Sequence, residues 1–386
     1  MRTWCDVSLD NLKYNVEQIK SKLGENTKLC GIVKANAYGH GVEEIASNLI
    51  KQGVDYLAVA FIDEAVELRL RGFTHPILIL GNTPKDTAED VVEYNITASV
   101  YNIETAEILS AEAVKRGKTS KIHIKIDTGM SRIGFVSSEQ SIEEIISVSK
   151  LPNVEIEGIF THFACSDSDD GAMTLKQFEK FMYIVSELEK RGLSIPIKHC
   201  CNSAAIIKYP EMHLDMVRAG IILYGMYPSD IEYDIDLKPL MNFKTSVINV
   251  KTMQPGETIS YGATYTVEKP MKVATIAVGY ADGYSRLLSN CGRVLVNGQF
   301  ANIVGRICMD QCMIDVTNVH NISIGDEVIL FGADENENLP IEELADKLGT
   351  INYELPCVIN NRVPRCYIKD NERVKIHNNL SVVKSL

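Results

Sequence analysis

Val33-Lys34-Ala35-Asn36-Ala37-Tyr38-Gly39-His40-Gly41 decides how the rest of the chain is read. The apolar run over residues 29–33 predicts a short buried strand, and it stops at a lysine followed by small residues and glycines. Lys34 therefore sits where a strand hands over to a loop. An amine must be desolvated to lose its proton and act as a nucleophile, and the inner end of a parallel strand opening into a pocket supplies that surrounding. The position alone also fits an ordinary strand-end lysine pointing at water.

Outward from Lys34, short β-rich runs alternate with amphipathic segments. Strands are predicted at 29–33, 56–59, 77–80, 97–100, 122–126, 156–161, 197–201 and 216–218, with helical periodicity at 43–51, 63–71, 104–116 and 175–191. Eight strand-plus-helix units predict an α/β fold, a (β/α)8 TIM-like barrel. From residue 237 the pattern becomes mainly β, with runs at 243–250, 271–278, 293–296, 299–304, 313–316 and 327–330. Turns at Pro255-Gly256, Asn297-Gly298 and Gly325-Asp326 punctuate them, and one helix is expected at 341–348. The boundary falls within 234–239, giving a barrel over 1–236 and a C-terminal β domain over 237–386. The tail 370–386 is polar apart from a short apolar stretch at 380–383.

The 386 residues are 45% hydrophobic, enough for substantial cores. A net charge of -12 without a basic run gives no electrostatic footing for nucleic acid or an anionic membrane, so small-molecule ligands are expected. Residues 1–13 lack the apolar stretch of a secretory signal and no run approaches a membrane span, which predicts a cytoplasmic protein. The ten cysteines are scattered through strand-like segments, as buried reduced thiols would be. Neither Cys200-Cys201 nor the Cys308 to Cys312 spacing matches a zinc pattern, so no metal is expected.

In such barrels the working residues gather at the carboxyl ends of the strands. Strand one ends in Lys34 and Tyr38, and strand five leads into Asp127-Thr128-Gly129-Met130-Ser131-Arg132. Strand six leads into Thr161-His162-Phe163, strand seven into Asn202-Ser203, and strand eight into Arg218-Ala219-Gly220-Ile221. Phosphate in these folds is held after strands seven and eight, where this chain offers the Ser203 hydroxyl and the amides of Gly220 and Ile221. Ser203 is equally placed to cap a helix over 204–208, and both roles can hold at once.

The lysine stretch resembles the pyridoxal-phosphate attachment motif of the alanine racemases, in which the lysine forms a Schiff base with the cofactor. The resemblance extends to the strand ends and into the β domain. It implies that Tyr38, Ser203, Gly220, Ile221 and Tyr353 hold the phosphate, and that Arg218 faces the pyridine nitrogen, with His162 buttressing it and Asn202 beside the cofactor. An arginine cannot accept the ring proton, so the ring is a weaker electron sink than with a carboxylate partner, which favours reprotonation over transamination. Arg132 is implied to orient the substrate carboxylate. Lys125 lies where many members carry a carbamylated lysine that fixes this arginine; a neighbouring acid could do the same.

Three further stretches are similar to the family: Ser260-Tyr261-Gly262-Ala263-Thr264-Tyr265, Gly279-Tyr280-Ala281-Asp282-Gly283-Tyr284, and Gly305-Arg306-Ile307-Cys308-Met309-Asp310. They imply that Tyr261 is the catalytic partner of Lys34, that the Met309 amide binds the substrate carboxylate with Cys308 and Asp310 in support, and that Tyr280 and Arg306 line the substrate passage. Inverting a stereocentre needs proton-transfer groups on opposite faces, and Lys34 and Tyr261 fill those roles. A free phenol ionises around pH 10, so a cationic neighbourhood such as His162 and Arg218 is required of the tyrosine.

The expected activity is interconversion of L- and D-alanine, supplying D-alanine for bacterial cell-wall peptidoglycan, in a head-to-tail homodimer with shared active sites. A broader amino-acid racemase accepting serine is the near alternative. A basic-amino-acid decarboxylase of the same plan would place a carboxylate against the pyridine nitrogen, where this chain has Arg218. A non-catalytic cofactor-binding barrel leaves the β domain and Tyr261 without a role.

Overall fold

The computed structural model describes residues 1–378 and Leu380; beyond Leu380 the apolar stretch expected in the tail lies outside the described residues. Two compact units emerge from the packing. One comprises residues 12–37 and 42–238, the other residues 1–11, 38–41 and 239–386.

The first unit carries the eight expected parallel strands, β1 Lys28–Ile32, β2 Tyr56–Val59, β3 Ile77–Ile79, β4 Ala98–Val100, β5 Ser120–Asp127, β6 Val154–Phe160, β7 Ile197–His199 and β8 Met216–Ala219, and a two-residue parallel strand, Phe135–Val136, beside the end of β5. Regular ladders join β8-β1-β2-β3 and β4-β5-β6-β7. Backbone hydrogen bonds link the two arcs at both edges. The Thr97 amide donates to the Ile77 carbonyl at 2.9 Å and the Ile79 amide to the Thr97 carbonyl at 2.9 Å. On the other side the Arg218 amide donates to the Cys201 carbonyl at 3.0 Å and the Asp215 amide to the Lys198 carbonyl at 3.1 Å. Those bonds set the eight strands beside one another in sequence order, the order of the (β/α)8 plan predicted.

Each strand ran where its β-branched residues and turn punctuation put it, with ends moved by a residue or two. Burial explains the helices between them. Val42–Lys51 buries Val42, Ile45, Ala46 and Leu49 on one stripe. Ile103–Arg116 is capped by Asn102, whose side chain accepts the Thr105 amide, and ends in left-handed Gly117.

Within the second unit, the 13-residue strand Met241–Met253 is the spine. It pairs antiparallel with Thr3–Ser8, Met271–Ile276 and Glu327–Ala333. Thr3–Ser8 pairs in turn, parallel, with Arg365–Lys369. The N-terminal strand was not foreseen: its alternating buried and half-buried residues become a strand only because partners distant in sequence flank it. The expected helix is present at Ile341–Leu348. Among the described residues no helix is long and apolar enough to cross a membrane, and all ten cysteines are free thiols.

Candidate active site

The turn that follows β1 is left-handed. Ala35, Asn36, Ala37 and Tyr38 all have positive φ, between 49° and 55°. A non-glycine residue in that region costs ~1–2 kcal/mol, and four in succession are tolerated only where the surroundings over-determine them. Local bonds do this at the lysine end. The Ala37 amide donates to the Val33 carbonyl at 2.9 Å, the Ala35 amide to Glu64 Oε1 at 2.6 Å, and the Val42 amide to Asn36 Oδ1 at 2.8 Å. The other Glu64 oxygen accepts the Ala60 amide at 2.7 Å. Lys34, half-buried, is delivered at the carboxyl end of β1.

At the other end of the turn, Tyr38 belongs to the β unit and lies 6.4 Å, centroid to centroid, from Tyr353. Gly39 is required by close approach as well as by its φ of +79°: a Cβ there would sit 1.9 Å from the Pro356 carbonyl oxygen. Burial, then the neighbouring Tyr353, pushes the Tyr38 phenol up, so it remains a hydrogen-bond donor at neutral pH.

The ends of β7 and β8 face each other through one bond, in which Ser203 Oγ accepts the Gly220 amide at 2.9 Å. The helix Ser203–Lys208 is capped by Asn202 rather than Ser203: Asn202 Oδ1 accepts the Ala205 amide at 3.1 Å and the Ser166 hydroxyl at 2.7 Å. The capping alternative thus falls to the preceding residue, and the Ser203 oxygen serves the Gly220 amide instead. Ile221 opens the single-turn helix Ile221–Tyr224.

Arg218 is the centre of the barrel rim. It is 3% exposed, and burial lowers its pKa. Nη1 meets His199 Nδ1 at 2.9 Å; Nη2 meets the Thr161 carbonyl at 2.8 Å, the Cys200 carbonyl at 3.1 Å and His162 Nδ1 at 3.3 Å. These are neutral acceptors. A buried cation held without a carboxylate is costly, and such arrangements mark sites where an anionic or polar ligand is awaited. His162 is pushed well below the ordinary imidazole range by burial and then by Arg218, Lys125, Arg132 and Lys34. His199, the nearer partner, was missed.

Lys125 is buried with Nζ 4.4 Å from the Phe160 ring centroid. Burial first, then Arg218 and Arg132, bring its amine down to about 7. Asp127 draws it the other way, but Asp127 Oδ1 accepts the amides of Gly129 at 2.9 Å and Ser131 at 3.0 Å and so belongs to the loop carrying Arg132. The rim therefore gathers Lys34, Lys125, Arg132 and Arg218 in one positive field.

In the β unit the three signature loops are tied together. Tyr261 lies in a turn between Thr258–Ile259 and Tyr265–Thr266, where Ser260 Oγ donates to the Arg306 carbonyl. The Tyr280 amide donates to the Cys308 carbonyl at 3.1 Å and the Ala281 amide to the Met309 carbonyl at 3.0 Å. Fully buried Asp282 anchors both, accepting Arg2 and Arg362 at 2.7 Å each, while Arg362 also donates to Asp310 at 2.7 Å. Arg2, Arg362 and Asp282 carry this scaffold and were not singled out from sequence. Tyr261, Met309 and Tyr280 remain 72%, 53% and 43% exposed, so their own chain leaves them accessible.

The comparisons agree with this architecture. Residues 7–228 match the family description "Alanine racemase, N-terminal domain" and residues 240–367 "Alanine racemase, C-terminal domain". The chain is 49% identical to an alanine racemase of Clostridium tetani over 97% of each chain. Its fold is similar to the solved alanine racemase of Clostridium difficile 630, with TM-score 0.96 and 46% identity over 98% of this chain and 99% of that one. A Bacillus anthracis alanine racemase with bound L-Ala-P aligns at TM-score 0.94 and 35% identity over 99% of each. Matched in both halves and along nearly its whole length, this chain belongs to the alanine racemase family.

Proposed function

We propose that the chain interconverts L- and D-alanine with pyridoxal 5'-phosphate, using Lys34 and Tyr261 as the two proton-transfer groups. The observation that carries this reading is Arg218, a buried donor-only cation bonded to carbonyls and imidazoles where a decarboxylase of this plan would present a carboxylate.

The residues present fit the cofactor. Ser203 Oγ and the Gly220 and Ile221 amides suit a phosphate, as do the phenols of Tyr38 and Tyr353, which lie near each other in the β unit. Asn202 positions this cradle by capping the helix that carries Ser203. When bound, pyridoxal phosphate supplies the electron sink that makes the alanine Cα–H acidic. Arg218 would hold the ring nitrogen as a donor only and could not take its proton. The Arg132 guanidinium and the Met309 amide orient the substrate carboxylate, with Tyr280 and Arg306 along the passage and Cys308 and Asp310 supporting the Met309 loop. Lys34 Nζ then removes or returns the proton on one face of Cα and Tyr261 Oη on the other, which inverts the centre.

The functional division is placed at about residues 236 and 237, the barrel holding most of the cofactor and the β domain supplying Tyr353 and Tyr261. The exposure of Tyr261, Met309 and Tyr280 supports a homodimer in which each β domain covers the partner's barrel mouth. With pKa about 7, the Lys125 amine is neutral often enough to add carbon dioxide, losing a proton to become an anion beside Arg132. The cytoplasm is the compartment proposed, and D-alanine for peptidoglycan the product proposed. Borohydride reduction of the loaded protein tests the attachment: the cofactor is expected on the peptide carrying Lys34, and a label on any other peptide overturns the assignment.

A further inference from the structure

Behind Arg218 the barrel interior holds a second, deeper set of polar groups that no step above uses. Barrel interiors are ordinarily filled by branched aliphatic side chains. Here His199 Nε2 meets His123 Nδ1 at 2.8 Å, and His123 Nε2 lies 3.4 Å from Glu157 Oε2 with no nearer partner. Lys121 Nζ donates to the other Glu157 oxygen at 2.7 Å, and Thr97 Oγ1 approaches Oε2 at 3.4 Å.

We infer that Glu157 is a positioning residue for Arg218, acting through His123 and His199. The catalytic consequence rests on the assignment of Arg218 to the ring nitrogen; the polarity of the chain does not.

The polarity follows from which atoms can donate. A guanidinium has no acceptor, so His199 Nδ1 must accept from Arg218. A neutral His199 then carries its proton on Nε2 and donates to His123 Nδ1. Neutral His123 must in turn carry its proton on Nε2, aimed at the Glu157 carboxylate. The reverse direction fails, because His123 donating from Nδ1 would leave His199 accepting at both nitrogens, an imidazolate. A doubly protonated His199 fails too, since its Nδ1–H would oppose the guanidinium.

Glu157 is the anionic end of the chain: its charge favours Nε2–H on His123, the tautomer that the guanidinium requires from the other end, and so holds the His199 Nδ1 lone pair on Arg218. Burial lowers the His123 and His199 pKa values and keeps both neutral. Against its own burial, the contacts of Glu157 with His123 and Lys121 hold its carboxyl at about 2, hence ionised.

Two packing features show that the rings are held. Phe160 stacks on His199 at 4.8 Å with 6° between planes. Residue 158 is glycine, and a Cβ there would lie 2.4 Å from His123 Cε1.

The test is nitrogen-15 NMR of histidine-labelled, cofactor-loaded full chain near neutral pH, alongside kinetics. His123 and His199 are expected as neutral Nε2–H tautomers. Glu157→Met leaves the His123 Nε2–H without its carboxylate, which should loosen His199 from Arg218, mix the tautomers of both and lower kcat about tenfold with KM for alanine held within about twofold. Glu157→Gln, which keeps an acceptor, should restore single tautomers and most of kcat. An Nδ1–H tautomer or an imidazolium at either histidine in the wild type overturns the inference, even if Glu157→Met does not fold. So does a Glu157→Met protein that melts lower but keeps wild-type tautomers and kcat, the outcome of a merely structural ion pair with Lys121. Correct tautomers in a protein that forms no D-alanine support the chain's polarity and overturn the racemase reading instead.

Discussion

The carboxylate of Glu64 accepts the backbone amide of Ala35 at 2.6 Å, immediately after Lys34. The same carboxylate accepts the Ala60 amide at the end of β2, so one side chain fixes the start of the left-handed turn against a rigid strand. Hydrogen bonds to a charged group contribute about 1.5–3 kcal/mol each. Glu64→Ala is therefore expected to destabilise the protein by about 3 kcal/mol and to weaken cofactor retention, read by urea unfolding and visible absorbance after dialysis. Unchanged stability and retention would mean that the turn holds without this anchor.

Lys125 makes stability depend on pH in a calculable direction. Its amine loses its proton near pH about 7 in the fold and near 10.4 in an unfolded chain. Between these values the unfolded chain binds more protons, so stability rises with pH. The penalty is complete below about 7 and gone above about 10.4. In buffer freed of carbon dioxide, where the amine stays unmodified, Lys125→Met should then gain on wild type by up to the order of 4 kcal/mol at the acidic side, the gain fading as pH rises. A gain that is flat with pH would place the amine in water.

The anion expected beside Arg132 has its own signature. Protein equilibrated with carbon-13 bicarbonate should show a carbamate carbon resonance that disappears in Lys125→Met. If wild type and Lys125→Met give identical spectra, Asp127 or another acid holds Arg132.

Much of the barrel was legible because each strand is a short β-rich run closed by turn residues, and because the carboxyl rim of a barrel can be searched by position alone. Lys34, Arg218, Ser203 and Gly220 were found that way, and the structure brings them onto one rim. Thr3–Ser8 was not, since its pairing lies with residues some 240 and 360 positions away. Asp282 was quoted only within a motif; its burial beneath Arg2 and Arg362 depends on segments that sequence spacing does not connect. His123 left a signal that went unread. Lys121, His123, Lys125 and Asp127 occupy alternate positions of β5, while Ile122, Ile124 and Ile126 are buried between them. Period two puts that polar row on one face of the strand.

Sharing of sites between two chains has a quantitative consequence. Inactive Lys34→Ala and inactive Tyr261→Ala subunits, mixed under conditions that allow exchange, should form dimers with one site intact in both groups. Random pairing makes half the dimers mixed with one good site of two, so activity should return to roughly a quarter of wild type. No recovery after proven exchange would put Lys34 and Tyr261 of the same chain in one site.

The most direct measurement is chiral detection of alanine after incubating the purified chain with pyridoxal phosphate and either pure enantiomer. The account predicts that both reactions converge on equal amounts of L- and D-alanine, and that Lys34→Ala and Tyr261→Phe each prevent this while leaving the fold intact. Absence of D-alanine from L-alanine in the loaded wild-type protein, or release of carbon dioxide from lysine or ornithine in its place, would contradict it.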